Sequence, residues 1–82
     1  LVVEVASSND RRRGVSDRVR QWQSAGVHEV WVVDTQARKV GVYVAGESPQ
    51  VLEGAVRIHG RRALVGFSLA VDQMFAAPKW WA

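Results

Sequence analysis

The pattern of apolar and polar positions predicts a strand, a helix and a second strand in the first part of the chain. Residues 1–6 read Leu-Val-Val-Glu-Val-Ala, a run typical of a strand covered on both faces. Residues 27–34, Val-His-Glu-Val-Trp-Val-Val-Asp, have the same character. Between them, from about 12 to 25, apolar residues recur at helical spacing and Gly26 follows as a helix stop. They are Val15, Val19, Trp22 and Ala25.

The remainder of the chain predicts short strands joined by turns, and then a short helix. Residues 34–38 read as a hairpin connection, and 40–44 alternate as a half-exposed strand does. Further predicted elements are a turn at 46–49, strands at 50–53 and 55–59, and a helical turn at 69–76 capped by Ser68. The fold class expected is therefore α/β, on the border of α+β. A β-α-β crossover with parallel strands comes first, antiparallel strands follow, and a short C-terminal helix ends the fold.

Composition limits the classes of protein to which the chain can belong. Its 82 residues suffice for one small domain, which we place at 1–76 with a tail at 77–82. Cysteine is absent, which excludes disulfides and thiolate metal sites. No apolar run is long enough to span a membrane and no signal peptide opens the chain, so we expect a cytoplasmic protein with no membrane partner. Because the chain starts at Leu1 and its one methionine is Met74, we also expect it to be part of a longer protein.

The charge is positive and unevenly distributed. Eleven Lys and Arg face eight Asp and Glu, a formal net charge of +3, and nine of the eleven cations are arginine. Arg11, Arg12 and Arg13 are adjacent, and Arg61 and Arg62 form a second pair. Such clusters are compatible with contacts to a phosphate backbone. A solvated, arginine-rich surface explains them equally well.

Glu4 is the residue in the first strand that needs an explanation, because a carboxylate in an apolar strand loses hydration. At about 100° per residue, Arg18 falls within the apolar stripe of the predicted helix, whereas Arg13 and Arg20 fall on the opposite side. Arg18 is therefore expected to point toward Glu4. Two interpretations remain open: an ion pair that only fixes the helix on the strand, or a metal-binding carboxylate beside a phosphate-binding cation.

Other candidate residues are better explained by structure than by chemistry. Asp34 reads as a turn-initiating aspartate. His28 and His59 have no metal-ligand spacing and are expected near the surface. Trp22 and Trp31 fit the core periodicity, so core packing is the favoured interpretation over base stacking. Trp80 and Trp81, in the tail beside Lys79, are consistent with an exposed interaction patch.

Three segments together resemble the C-terminal half of a known family. They are Leu-Val-Val-Glu-Val-Ala-Ser-Ser-Asn-Asp at 1–10, Gly-Val-His-Glu-Val-Trp-Val-Val-Asp at 26–34 and Gly-Phe-Ser-Leu-Ala-Val-Asp-Gln-Met-Phe at 66–75. In this order they are similar to the Uma-type putative restriction endonuclease family of the PD-(D/E)xK nuclease superfamily. The resemblance covers about residues 1 to 76 and implies a partial PD-(D/E)xK nuclease core.

The resemblance implies roles for a few residues. Glu4 matches the family's strand glutamate, which is expected to bind Mg²⁺ or Mn²⁺, and the main-chain carbonyl of Val5 is expected to add a ligand. The superfamily's lysine two residues after the glutamate is replaced by Ala6, and Arg18 stands at the helix position where the Uma type carries a lysine. Arginine can stabilise a phosphate, but it holds its proton too firmly to accept one from water. Trp22 stands where the family usually has tyrosine.

Other family acids lie upstream of the glutamate strand, so the resemblance implies an incomplete site. We therefore expect a truncated relative of a metal-dependent DNA endonuclease, inactive as this chain, with DNA as the partner of intact relatives and Arg11, Arg12 and Arg13 guiding the duplex. The alternative is a non-catalytic module that binds nucleic acid, or that pairs its first strand with a second copy or a partner chain to complete the sheet.

Overall fold

A computed structural model describes residues 1–6, 12–61 and 64–76, and at residues 12 and 13 it describes the backbone. Within that part of the chain, six strands and two helices follow one another. In order they are β1 (Val2–Ala6), α1 (Arg12–Ser24), β2 (Glu29–Asp34), β3 (Lys39–Val44), β4 (Gln50–Glu53), β5 (Arg57–His59), β6 (Ser68–Ala70) and α2 (Val71–Met74). The order of the first five predicted elements is confirmed, and their bounds agree within two or three residues.

The main sheet has four strands in the order β1-β2-β3-β4. β1 runs parallel to β2, with Glu4 opposite Val32 and Ala6 opposite Asp34, as the β-α-β pattern predicts. β3 and β4 continue the sheet antiparallel, while β5 and β6 form a separate antiparallel pair. The predicted mixed α and β architecture is therefore confirmed, and β1 lies at one edge of the main sheet.

The sheet buries a different apolar cluster on each face, because successive side chains of a strand point to opposite sides. Beneath α1 lies a cluster of Ala6, Val19, Val30 and Val32, with Val2, Val15, Val27 and Tyr43 packed against it. Trp31, Val40, Val42, Val44, Ile58 and Val71 form the cluster on the opposite face. β5, β6 and α2 cover this second cluster. We call the two sides the α1 face and the β5 face.

Two predictions about local structure are wrong. β1 is covered on its α1 face only, and Val3 and Val5 on the other side are 52% and 63% exposed, because no described element packs against that end of the β5 face. Ser68 does not cap the last helix, since it belongs to β6 and the N-cap of α2 is Ala70. A strand of three residues pairing with another short strand has too little periodicity to be read from sequence.

Candidate functional site

Glu4 lies on the α1 face of the edge strand β1, between Val2 and Ala6 on the same side. Its carboxylate points at the helix. Two side chains of α1 meet it, those of Arg18 and Trp22. Because these two residues are four apart, they lie on one side of the helix. The contact between Glu4 and Arg18 that helical spacing predicts is therefore present.

The two oxygens of the Glu4 carboxylate have different surroundings. Oε1 accepts a hydrogen bond of 2.6 Å from the indole Nε1 of Trp22. Oε2 lies 3.7 Å from Nε of Arg18, a distance that makes an ion pair but is too long for a good hydrogen bond. Among the described residues no hydrogen bond reaches Oε2. One oxygen is thus fixed by the helix, and the other remains able to accept a further donor.

The side chains of Glu4 and Arg18 are partly exposed to solvent. The side chain of Glu4 is 24% exposed and that of Arg18 is 34% exposed. An ion pair with this degree of exposure contributes up to about 1 kcal/mol to stability. The Glu4–Arg18 pair therefore does not by itself explain why a charge stands in an apolar strand, and a ligand could reach both groups.

The prediction that Trp22 packs in the core is wrong. Trp22 is 39% exposed and is not a member of either apolar cluster. Its indole N–H donates a hydrogen bond to Glu4. Helical spacing places Trp22 in the apolar stripe, but it cannot show that the indole N–H donates to a carboxylate on the sheet. Trp31, which is 3% exposed, confirms the core prediction.

The described residues do not complete a divalent-metal site. Magnesium needs about six oxygen ligands in near-octahedral geometry, and Glu4 supplies one carboxylate whose open oxygen faces a guanidinium. No group of three or more His, Cys, Asp or Glu side chains suited to a metal occurs in the part of the chain that is described. Glu4 and the Val5 carbonyl can therefore be two ligands of a site at most.

The remaining predicted residues lie away from this group or outside the described residues. Asp34 Oδ1 accepts the backbone N–H groups of Gln36 at 3.0 Å and Ala37 at 2.9 Å, so the turn interpretation is confirmed. His28 and His59 are exposed, as expected. Arg11, the side chains of Arg12 and Arg13, Arg62, and the tail with Lys79, Trp80 and Trp81 lie outside the described part of the chain.

A second acid–indole pair, which the sequence predictions do not include, lies in β2. Glu29 is buried at 6% exposure, and it accepts a hydrogen bond of 2.6 Å from Nε1 of Trp31. Strand periodicity predicts the pair, because residues two apart in a strand share a face, and Glu29 and Trp31 are two apart in β2. This pair lies on the β5 face, on the opposite side of the sheet from Glu4.

None of the described helices is long and apolar enough to cross a membrane.

A search of the curated proteins finds no match. Among solved structures, the chain is similar to the crystal structure of a putative nuclease belonging to DUF820 from Anabaena variabilis, with a TM-score of 0.78 and 16% identity. The match covers 89% of this chain and 41% of the other. This chain therefore spans about two fifths of the length of that putative nuclease and shares its fold.

The family comparison agrees with the structural one. The model of the Uma2 family, described as putative restriction endonucleases, matches residues 1–72, a range that includes the glutamate strand, α1 and the whole four-stranded sheet. The chain therefore belongs to the Uma2 family of putative restriction endonucleases.

Proposed function

We propose that this chain contributes to a site that acts on DNA phosphodiesters in a metal-dependent endonuclease, and that it does not cleave DNA by itself. Glu4 would be one carboxylate ligand of Mg²⁺ or Mn²⁺, with the Val5 carbonyl beside it, and Arg18 would contact the phosphate. The observation that carries the proposal is the asymmetry of the Glu4 carboxylate. Trp22 fixes Oε1, while Oε2 accepts no hydrogen bond from the described residues and faces Arg18.

The position of the group supports this role. Glu4 lies on an edge strand and remains partly open to solvent together with Arg18, so a phosphate can approach without unfolding the sheet. A guanidinium matches phosphate oxygens geometrically and keeps its charge at all ordinary pH values. Arg18 would thus bind and orient a phosphate, and it would not act as a base toward water.

The expectation of inactivity follows from the ligand count. One side-chain carboxylate does not hold a divalent ion in the geometry that phosphodiester hydrolysis needs, and the described residues bring no second one beside Glu4. DNA binding needs only cations, and the chain carries a formal net charge of +3. We therefore expect binding without cleavage.

A nicking assay tests this proposal. Supercoiled plasmid is incubated with the chain, with Glu4→Ala and with a catalytically competent nuclease as a positive control, in Mg²⁺ or Mn²⁺. The proposal predicts no nicking by either form, together with salt-sensitive DNA binding. Nicking that Glu4→Ala abolishes would show that the chain completes the site, contrary to the expected inactivity. Nicking that survives in Glu4→Ala would refute the role of Glu4.

A second candidate function is assembly through β1, and the exposed outer side of that strand favours it. β1 is an edge strand, and edge strands readily pair with another chain. Val3 and Val5 add an apolar surface on the β5 face. A second copy or a partner chain that pairs with β1 would extend the sheet and cover both valines.

Sedimentation velocity with Val5→Lys tests the assembly candidate for a second copy. Val51 on β4 is 65% exposed, so Val51→Lys is a matched control at the opposite edge of the sheet. Assembly through β1 predicts a concentration-dependent dimer that Val5→Lys disrupts and Val51→Lys preserves. A monomer at all concentrations would contradict self-assembly, and a dimer insensitive to Val5→Lys would place the interface elsewhere.

A further inference from the structure

A small cavity lies on the β5 face, on the other side of the sheet from Glu4. Its volume is about 110 Å³, enough for several water molecules or one small anion. Val42, Leu52 and Ile58 line its apolar part, and the cationic or titratable side chains of Arg57, His59 and Arg61 also line it. The lining of the cavity, which also includes Gln50, therefore combines apolar strand residues with nitrogen donors.

Hydrogen bonds hold two of the three donor side chains around the cavity, those of Arg57 and Arg61. Nε and Nη2 of Arg57 bond to Oγ and the backbone oxygen of Ser68 at 2.7 and 3.2 Å, so Nη1 has no partner among the described residues. Nη1 of Arg61 donates to both carboxylate oxygens of Glu47 at 3.3 and 3.1 Å. Nε and Nη2 of Arg61 have no partner within the described part of the chain, and the imidazole of His59 bonds to no described residue.

The charge around the cavity favours an anion. Glu47 offsets the charge of Arg61, whereas among the described residues Arg57 bonds to the neutral Ser68 alone, so no described carboxylate compensates its positive charge. Two guanidinium groups and an imidazole can donate several hydrogen bonds to one tetrahedral anion. Because Ser68 and Glu47 restrain the two arginines, less side-chain freedom is lost on binding.

We propose that Arg57, His59 and Arg61 form a phosphate-binding site in this cavity. The ligand is a phosphate group, either free, on a small phosphorylated molecule, or in a nucleic-acid backbone. The site lies on the face of the sheet opposite Glu4 and Arg18. It therefore goes beyond the proposed endonuclease role, and either proposal can fail without the other.

The ring signals of the two histidines give a direct NMR test with the full chain. Inorganic phosphate is titrated at constant pH and ionic strength, with chloride as the balancing salt, and His59→Gln assigns the signals. His28 precedes β2 and does not line the cavity, so its ring is an internal control. Binding predicts a saturable shift of the His59 signals and none at His28. Parallel, non-saturating shifts of both rings would overturn the site.

Charge variants separate the cavity from general electrostatics. Arg61→Gln is expected to weaken phosphate binding about fivefold, near the upper end of what an exposed charge pair contributes. Arg20→Gln makes the same charge change on α1, where Arg20 pairs with Asp17 at 3.6 Å, and is expected to leave binding unchanged. Arg57→Lys keeps the positive charge but loses the planar set of N–H donors of the guanidinium, so it should also weaken phosphate binding. Equal weakening by Arg20→Gln and Arg61→Gln would refute the site.

Two further arms separate the phosphate source from the endonuclease role. A short DNA duplex is titrated in the same way, with its concentration counted as phosphate groups. If it shifts the His59 signals at a lower concentration than inorganic phosphate does, the ligand is a nucleic-acid backbone. A response to inorganic phosphate alone would indicate a small ligand, and a response to neither would overturn the proposal. Glu4→Gln is expected to leave the phosphate titration unchanged, and circular dichroism checks that each variant is folded.

Discussion

The indole Nε1 of Trp22 donates a hydrogen bond of 2.6 Å to Oε1 of Glu4, joining the helix α1 to the edge strand β1. The bond orients the carboxylate so that its other oxygen faces Arg18. Trp22 is therefore the residue that positions the glutamate. A phenylalanine at this place would keep the ring but not the orientation.

Trp22→Phe is expected to lower the free energy of unfolding by about 1 kcal/mol, because water can replace part of the lost hydrogen bond at this half-exposed position. Trp31→Phe is the matched comparison, since it removes the donor to the buried Glu29. Its expected cost is about 2–3 kcal/mol, because a buried carboxylate loses its partner. Urea denaturation followed by circular dichroism measures both. A larger effect at Trp22 than at Trp31 would contradict this assignment of exposed and buried pairs.

Two glycine-to-alanine substitutions are expected to change stability in opposite directions. Gly14 lies in α1, and an added Cβ would meet no atom within 4 Å, so Gly14→Ala should stabilise by about 0.5–1 kcal/mol. At Gly60 an added Cβ would overlap the backbone carbonyl oxygen of Leu64, and Gly60→Ala should destabilise by about 1–3 kcal/mol. Thermal unfolding of both variants gives the signs: a Gly60→Ala variant that is not destabilised would refute the packing described around Gly60, and a destabilised Gly14→Ala variant would refute the open space at Gly14.

The sequence was sufficient for the main architecture because the signals there are local. Valine-rich runs and a helix of 13 residues specify β1, α1 and β2, and the β-α-β order then makes β1 and β2 parallel. The Glu4–Arg18 contact was also predictable, since it needs only helical geometry and a carboxylate on the facing strand. The family match over residues 1–72 includes these elements and continues through β6.

Features that depend on packing across the sheet could not be predicted. The exposure of Val3 and Val5 depends on where β5 and β6 lie, and β6 is too short to show a period. The orientation of Trp22 depends on a hydrogen bond to a residue 18 positions away. The cavity beside Arg57 and His59 likewise forms only when β5 packs on β3 and β4.

Asp34→Ala is expected to destabilise the fold by about 1 kcal/mol, because Oδ1 no longer caps the backbone N–H groups of Gln36 and Ala37. Asp34→Asn is the matched control, since an amide oxygen can accept the same bonds while the negative charge is lost. Unfolding in urea should therefore show a near-normal stability for Asp34→Asn. If Asn and Ala were equally destabilising, the charge rather than the turn would be the important property of Asp34.

The most direct test of the Glu4–Arg18 site is the salt dependence of DNA binding by the unmodified chain, Arg18→Gln and Arg20→Gln. A phosphate contact at Arg18 predicts that Arg18→Gln weakens binding and reduces the slope of log K against log salt by about 0.9. Arg20→Gln changes the charge equally on the same helix, but Arg20 is 74% exposed and pairs with Asp17, so the slope should remain that of the unmodified chain. Equal slopes for all three proteins would contradict the account and leave Glu4–Arg18 as an ion pair that only fixes the helix on the sheet.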